Sequence, residues 1–419
     1  MAGRDAHGSA QGPLKGLRVI EFGSTVAGPF CARLLADFGA DVIKIEQPEG
    51  DAVRSMGRQR DGHSLYGASI FRNKRIVSIN LREEEGRELA RKLCRDADII
   101  VENFRPGTLE RWGLGHDDLS KTNPGLVTIR ISGFGQDGPY SERSGYGVVG
   151  EAVSGIRGIT GDPDRPPPRA ATSLADYIAG LYAAFGAMMA LVERNRTGRG
   201  QVIDSALYEG SFSFMEPHIP AYQQLGLVAE RAGPRLPGNT PNSLYPTRDG
   251  RYVVIAAASD PVYARLVAAI GKPELAKDPR FSTGVARVKN EEACDHEIAE
   301  WTSRNDITDI EAAMLKAKVP AARIYTVEDI FNDPHYKARG MLVEADDPRL
   351  GKVAMAGIVP KLSETPGAVW RAGPALGEDT YEILRDELKL SDGEIARLEK
   401  DGIVASAADE ETEDRRQSA

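Results

Sequence analysis

Cysteine is scarce in this chain of 419 residues. The three present, Cys31, Cys94 and Cys294, show neither metal-ligand spacing nor an even-numbered framework. That excludes a disulfide scaffold and a thiolate metal site, and it leads us to expect a reducing, cytoplasmic setting. Aromatic residues are also few, 6% of the chain, so the core has to rest on aliphatic side chains. The histidines at 7, 63, 116, 218, 296 and 335 are scattered without helical pairing. No Walker loop or Cys/His cluster is present, and no metal site is expected. The longest uncharged run, Tyr177 to Val192, has 16 residues with two glycines. A membrane span needs about 20, so the run reads as a buried helix and no membrane partner is expected. Met1 to Gly12 lacks the apolar core of a signal peptide.

What is present is the composition of a soluble globular protein, 41% hydrophobic and 27% charged. The length suggests two or three domains. A net charge of −9 argues against a nucleic-acid or anionic-membrane surface. An anionic small molecule is still allowed, because a local basic pocket can sit inside a negative shell. Part of the negative charge lies in 405–419, which holds five acids and two arginines without apolar periodicity. That tail and residues 1–12 are expected to be disordered.

From Gly16 onward strand, turn and helix alternate. Arg18–Phe22, Asp41–Glu46, Val77–Leu81, Ala97–Val101 and Leu126–Ser132 read as strands, with a helix over Glu83–Cys94. Such alternation predicts a mostly parallel sheet with ligands outside the carboxyl ends of its strands. The loops there are 23–29, 46–51, 103–107 and 133–140. Around Ser211–Asn242 periodicity fades into a linker, and Asp249-Gly250 marks a hairpin turn in a second domain. A strand is expected over Ala321–Tyr325 and several strand-like runs over Gly340–Pro366. Ser391 with Glu394 predicts a capped last helix.

Three places carry candidate chemistry. Gly23 and Gly28 with Glu46 evoke a dinucleotide turn, but G-x-G-x-x-G is absent and Pro29 removes an amide, so a plain tight turn is the better reading. Asn103-Phe-Arg-Pro-Gly107 with Arg111 joins backbone amides, a guanidinium and an aromatic face, which suits a phosphate-bearing nucleotide or merely a solvated loop. Arg72, Lys74, Arg75 and Arg82 add positive charge nearby in sequence. Asp176 opens the apolar run. At a water-poor helix N-terminus it is held by the helix dipole and can attack a thioester. Equally, Ser173 and Asp176 have capping-box spacing, and the two roles are compatible.

The segments Gly16–Phe22, Ala27-Gly-Pro29, Gly39–Glu46, Asn73-Lys-Arg75, Val101–Gly107, Ser132–Pro139, Asp176–Gly180 and Gly200–Asp204 together resemble the family III CoA-transferases, the formyl-CoA:oxalate and carnitine (CaiB/BaiF) type. The resemblance runs from about residue 13 to 404. It implies an α/β fold: a Rossmann-like large domain with a parallel sheet, residues 13–210 and 326–404, and a smaller inserted α+β domain, 225–325. Residues 211–224 would link them, in an interlocked homodimer. It implies Asp176 as nucleophile, passing through an aspartyl mixed anhydride and an aspartyl-CoA thioester. Ala27, Asn80, Arg82, Asn103, Phe104, Arg105, Arg111 and Tyr146 are the implied CoA contacts. CoA is then a substrate, with no tightly bound cofactor.

Two positions depart from the pattern of formyl-CoA transferase. A CoA-binding lysine two residues before the tyrosine is Ser144 here, and a glycine run is replaced by about Arg231–Gly238. Arg231 or Arg235 could pair with a substrate carboxylate or be solvated. Where the α-methylacyl-CoA racemases place a histidine, thirty residues before the aspartate, this chain has Tyr146. A phenol of pKa about 10 is a poor base near neutrality. The expectation is CoA transfer from succinyl-CoA to a small, dicarboxylic acid. A racemase and a non-catalytic CoA-binding protein are the alternatives.

Overall fold

The computed structural model describes residues 12–407, which fall into two compact units. The first combines the described residues up to Ile156 with Ala170–Pro220 and the described residues from Lys337 onward. The second combines Arg157–Arg169 with Ala221–Tyr336.

The first unit begins with β1 (Arg18–Glu21), α1 (Ala27–Asp37), β2 (Asp41–Glu46), β3 (Lys74–Ile79), α2 (Glu84–Cys94), β4 (Ile99–Glu102) and β5 (Val127–Ser132). There follow α3 (Gly147–Val153), α4 (Leu174–Thr197), β6 (Val202–Ala206) and α5 (Leu207–Phe212), and then α6 (His218–Leu225), which leads into the second unit. In that unit β7 (Asn242–Pro246), β8 (Tyr252–Ala256) and β9 (Ala321–Arg323) form an antiparallel sheet. It packs with helices Asp260–Ala269, Glu291–Thr302 and Ile307–Ala317 around Tyr245, Val253, Leu266, Phe281 and Ile310. The chain closes the first unit with the hairpin β10 (Leu342–Asp347) and β11 (Gly351–Ala356), then α7 (Asp392–Lys400) and β12 (Val404–Ala405).

The seven-stranded sheet runs β12-β3-β2-β1-β4-β5-β6, parallel except for β12. Period-two alternation builds both of its faces. Val19, Val42, Ile99 and Val127 face α1 and α4, while their neighbours Ile20, Ile43 and Ile100 face α2 and α7. β1 lies between β2 and β4, so the strand order reverses there. A crevice opens at the carboxyl ends of such a pair, where consecutive connections diverge to opposite faces.

Several boundaries differ from the sequence reading. The stretch 211–224, expected as a linker of faded periodicity, carries α6 and a short 3-10 turn, Ser213–Met215, over much of its length. Gly340–Pro366 contains one hairpin rather than several strands. Ala405, expected to be disordered, pairs with Ser78, because an edge strand gains its backbone bonds from a distant partner that local composition does not reveal. The rest of the expected disordered ends, 1–11 and 408–419, lies outside the described residues. The Asp249-Gly250 hairpin and the capping box of Ser391 and Glu394 form as expected.

Candidate active site

The crevice is a cavity of about 270 Å³. Three strand-to-helix loops and the first turn of α4 line it: Ser24, Thr25 and Ala27 after β1, Asn103–Pro106 after β4, Ser132–Tyr146 in part after β5, and Asp176.

The β1–α1 loop is fixed from below. Gly23 and Gly28 touch so closely that a Cβ on either would come within 3 Å of the other's Cα, at 2.9 and 2.8 Å. Asn103 spans from the neighbouring strand, its Oδ1 accepting from Ser24 N and its Nδ2 donating to Ser24 O, both at 2.8 Å. Thr25 N donates to Asp51 at 3.1 Å. Lys44 pairs with Asp51 at 2.9 Å and donates to the Gly23 carbonyl. Lys74 pairs with Glu21 at 2.7 Å and donates to Pro29 O at 2.8 Å. With Arg54 paired to Glu46, three cations and three carboxylates form a balanced cluster whose lysines and carboxylates are buried. Burial pushes Lys74 down to about 8, whereas Lys44 is raised above the ordinary lysine value despite its burial, chiefly by Glu21 and Asp51.

The other walls follow the same logic. After β4, Glu102 accepts from Phe104 N at 2.8 Å and from Arg130 Nε at 2.8 Å. Burial raises the Glu102 carboxyl to about 6 although Arg130 opposes the shift. Phe104 packs edge-on against Trp112, and Arg105 donates to Ser144 Oγ at 3.0 Å. After β5, Gly133 and Gly145 press together; a Cβ on Gly145 would stand 2.2 Å from Gly133 Cα. This contact folds 133–145 back, with Arg143 stacked 3.5 Å over the Tyr140 ring.

Asp176 sits in the first turn of α4, where the helix dipole favours negative charge. Its carboxylate abuts Gly147 in the first turn of α3; a Cβ there would be 1.9 Å from Oδ2. One turn further on, Gly180 lets α1 approach, since a Cβ at 180 would lie 2.8 Å from Ala27 O. Small residues thus place Asp176 beside the β1–α1 loop. Ser173 is the N-cap, but its side chain makes no cap bond, so the capping box expected with Asp176 is not completed by the hydroxyl. The backbone of Ser173 has ψ 63, outside the extended range that usually presents a capping hydroxyl.

Of the implied CoA contacts, Ala27, Asn103, Phe104, Arg105 and Tyr146 line the cavity with Asp176, and Tyr146 is 60% exposed. Asn80, Arg82 and Arg111 lie off it. Asn80 bonds Gly402 O and Arg82 N, Arg82 pairs with Glu49 at 2.6 Å, and Arg111 donates to Thr108 Oγ1 at 3.0 Å. Arg72 pairs with Asp37 and Arg75 with Asp41 and Glu387, so with Lys74 they serve the interior rather than the cavity. Arg231 donates to the carbonyls of Asp162, Pro163 and Arg165, and Arg235 pairs with Asp295 at 2.8 Å. Sequence reasoning missed Ser24, Thr25, Arg143 and Gly147. Ser24 and Thr25 fall in the loop 23–29 already marked as facing the carboxyl ends of the strands, whereas Arg143 and Gly147 lie beyond the marked loop 133–140 and only tertiary contacts place them at the site.

α4 is long and apolar enough to cross a membrane by length and composition. Its face of Ala175, Ala179, Ala183, Ala187 and Ala190 is nevertheless packed into the sheet. The opposite stripe of Leu181, Phe185, Met189 and Val192 is exposed, so the helix is buried along one side only. Among the described residues no group of His, Cys, Asp or Glu is placed to hold a metal ion.

Comparison with known proteins adds a family to this geometry. A family profile described as CoA-transferase family III matches residues 14–380. Succinyl-CoA–D-citramalate CoA-transferase of Chloroflexus aurantiacus is 47% identical over 394 residues, covering 94% of this chain and 98% of that protein. The β subunit of succinyl-CoA–L-malate CoA-transferase from the same organism is 41% identical over 397 residues, covering 94% and 98%. The crystal structure of a CaiB/BaiF family protein from Brucella suis superposes with a TM-score of 0.81 at 37% identity, covering 90% of this chain and all of that one.

Proposed function

The chain belongs to CoA-transferase family III, and from that premise we propose that it moves CoA from succinyl-CoA to a small dicarboxylic acid, with Asp176 as nucleophile. The observation that carries this reading is the placement of Asp176 at a helix N-terminus, in a cavity lined by the cations Arg105 and Arg143 rather than by further acids. The names of the similar transferases, acting on citramalate and malate, support a dicarboxylate acceptor.

The steps balance without water. Asp176 Oδ attacks the thioester carbonyl, the C–S bond of the adduct breaks, and CoA leaves as thiolate, so that a mixed anhydride of Asp176 and succinate remains. The thiolate then attacks the Asp176 acyl carbon, releasing succinate and forming an aspartyl-CoA thioester. The acceptor carboxylate attacks the same carbon, freeing the thiolate again, which takes the new acyl group and restores the Asp176 carboxylate. Holding the nucleotide portion of CoA throughout makes each return of the thiolate nearly unimolecular. Arg105 and Arg143 are suited to phosphate or carboxylate oxygens.

A second copy of the chain is part of this reading. Besides the exposed stripe of α4, Ile219, Tyr222 and Leu225 are exposed on α6, which has no buried residue. Apolar surface of that extent calls for a partner, and a homodimer fits it. Three free, buried cysteines, with burial pushing the Cys294 thiol up to about 12, suit a cytoplasmic location.

Incubation with succinyl-CoA followed by neutral hydroxylamine and mass spectrometry tests the nucleophile. A hydroxamate on Asp176, absent with Asp176→Asn along with turnover, is the expected result. A panel of mono- and dicarboxylic acids tests the acceptor. Activity confined to monocarboxylates would overturn the dicarboxylate assignment, and exchange of an α-proton without transfer would point to racemisation.

A further inference from the structure

Each addition to a thioester or anhydride carbonyl puts a negative charge on oxygen, and a preorganised donor there is worth more than any other single group. The backbone amides of Ser24 and Thr25 are not available for it, since Asn103 and Asp51 accept from them. The hydroxyls are different. Ser24 Oγ and Thr25 Oγ1 lie 3.2 Å apart and bond to each other. A pair of hydroxyls owns two protons and that bond uses one, so one O–H is left to give. Both residues line the cavity that holds Asp176. Gly180, one turn beyond Asp176 on α4, packs on the carbonyl of Ala27, which places the preceding residues of the loop beside that first turn.

The loop is built to hold this pair still. Asn103 clamps Ser24 at both its N–H and its C=O, Asp51 holds Thr25 N, and Lys44 holds the Gly23 carbonyl. Thr25 is held at φ 68, a backbone conformation that β-branched residues avoid. Strain of this kind persists only where surrounding structure enforces it, and here the enforcing groups are a buried charge cluster.

We propose that the Ser24–Thr25 hydroxyl pair is a catalytic element, donating its remaining O–H to the oxyanion formed when Asp176 attacks the thioester carbonyl. The C–O bond forms, the carbonyl electron pair moves onto oxygen, and the hydroxyl hydrogen bonds that oxygen without transferring its proton. The charge is released when the C–S bond breaks. This inference rests on the proposed role of Asp176.

The test uses the full chain with Ser24→Ala, Thr25→Ser and the double variant Ser24→Ala/Thr25→Gly. Glycine suits φ 68, so the double variant removes both hydroxyls while relieving strain, and its melting temperature should not fall. We expect its kcat to drop about 100-fold, with KM for succinyl-CoA unchanged and the hydroxamate on Asp176 forming proportionately more slowly. Thr25→Ser should retain near-normal kcat because it keeps the hydroxyl. A wild-type kcat in the double variant, or a change confined to KM, would overturn the proposal. Should the double variant melt early, a normal kcat in Ser24→Ala together with an impaired Thr25→Ser would do the same. Asp176→Asn, run in parallel, separates the two ideas: an adduct surviving in that variant removes the underlying reading, whereas a lost adduct beside fully active hydroxyl variants removes only this one.

Discussion

Gly147 is as much a part of the site as Asp176, because the carboxylate occupies the space its Cβ would take. Gly147→Ala places a methyl 1.9 Å from Oδ2, so the carboxylate has to swing away. A displacement near 1 Å at a reacting atom costs about 100-fold in rate. Steady-state kinetics on a variant with an unchanged circular dichroism spectrum should show that loss, and wild-type turnover would contradict the geometry. Glu102 makes a different prediction. Its folded pKa, about 6, lies above the ordinary value of 4.5, so the folded chain holds this proton more tightly than the unfolded chain does. The associated stability is full below pH 4.5 and is lost as pH rises through 6, by about 2 kcal/mol for a shift of this size. Denaturant titrations at several pH values should show wild type losing ground against Glu102→Gln across that window. Parallel curves would mean that Arg130 fully offsets the burial of the carboxylate.

At the scale of elements, one substitution has opposite outcomes on two helices. In an open helix alanine replaces glycine with a gain of up to about 1 kcal/mol. A Cβ on Gly393 in α7 would meet nothing within 4 Å, so Gly393→Ala should raise the melting temperature. A Cβ on Gly180 in α4 would meet the Ala27 carbonyl at 2.8 Å, a backbone atom that cannot rotate aside. Overpacking costs about 1 to 3 kcal/mol, which outweighs the propensity gain. Gly180→Ala should therefore lower the melting temperature, and it should lower kcat as well by pushing the β1–α1 loop from Asp176. Equal stabilisation of both variants would show that α1 and α4 slide apart without cost.

At the scale of the whole molecule, the proposed homodimer makes the apolar stripe of α4 its measurable feature. Sedimentation of the intact protein should give twice the chain mass. Phe185→Asp with Val192→Asp, both on exposed positions of that stripe, should shift it to monomer or aggregate. An unchanged dimer in that variant would move the interface elsewhere. Within a chain of net charge −9, the cavity presents two cations, Arg105 and Arg143, beside the one carboxylate of Asp176. High salt should therefore weaken the apparent affinity for the anionic donor.

How much could be read from residues alone follows a physical line. Five of the six parallel strands were legible because buried strands are short, largely apolar runs between turns, as in Asp41–Glu46 and Val127–Ser132, whereas the partly exposed edge strand β6 was not read as a strand. Asp176 was legible too, since a carboxylate just before a long apolar helix is conspicuous in one dimension. The pairing of Ala405 with Ser78, the clamp of Asn103 on Ser24 and the contact of Gly147 with Asp176 were not, because each joins residues far apart in sequence. The same holds for the cations. Arg72, Lys74 and Arg75 read as ligand charge along the chain, yet each has a carboxylate within 3 Å in the folded protein. Local sequence by itself determined most strands of the large sheet and the family, since backbone propensity and motif order are properties of neighbours. Which charges face a substrate and which face each other was decided only by tertiary structure, because desolvation and pairing depend on what the fold brings alongside.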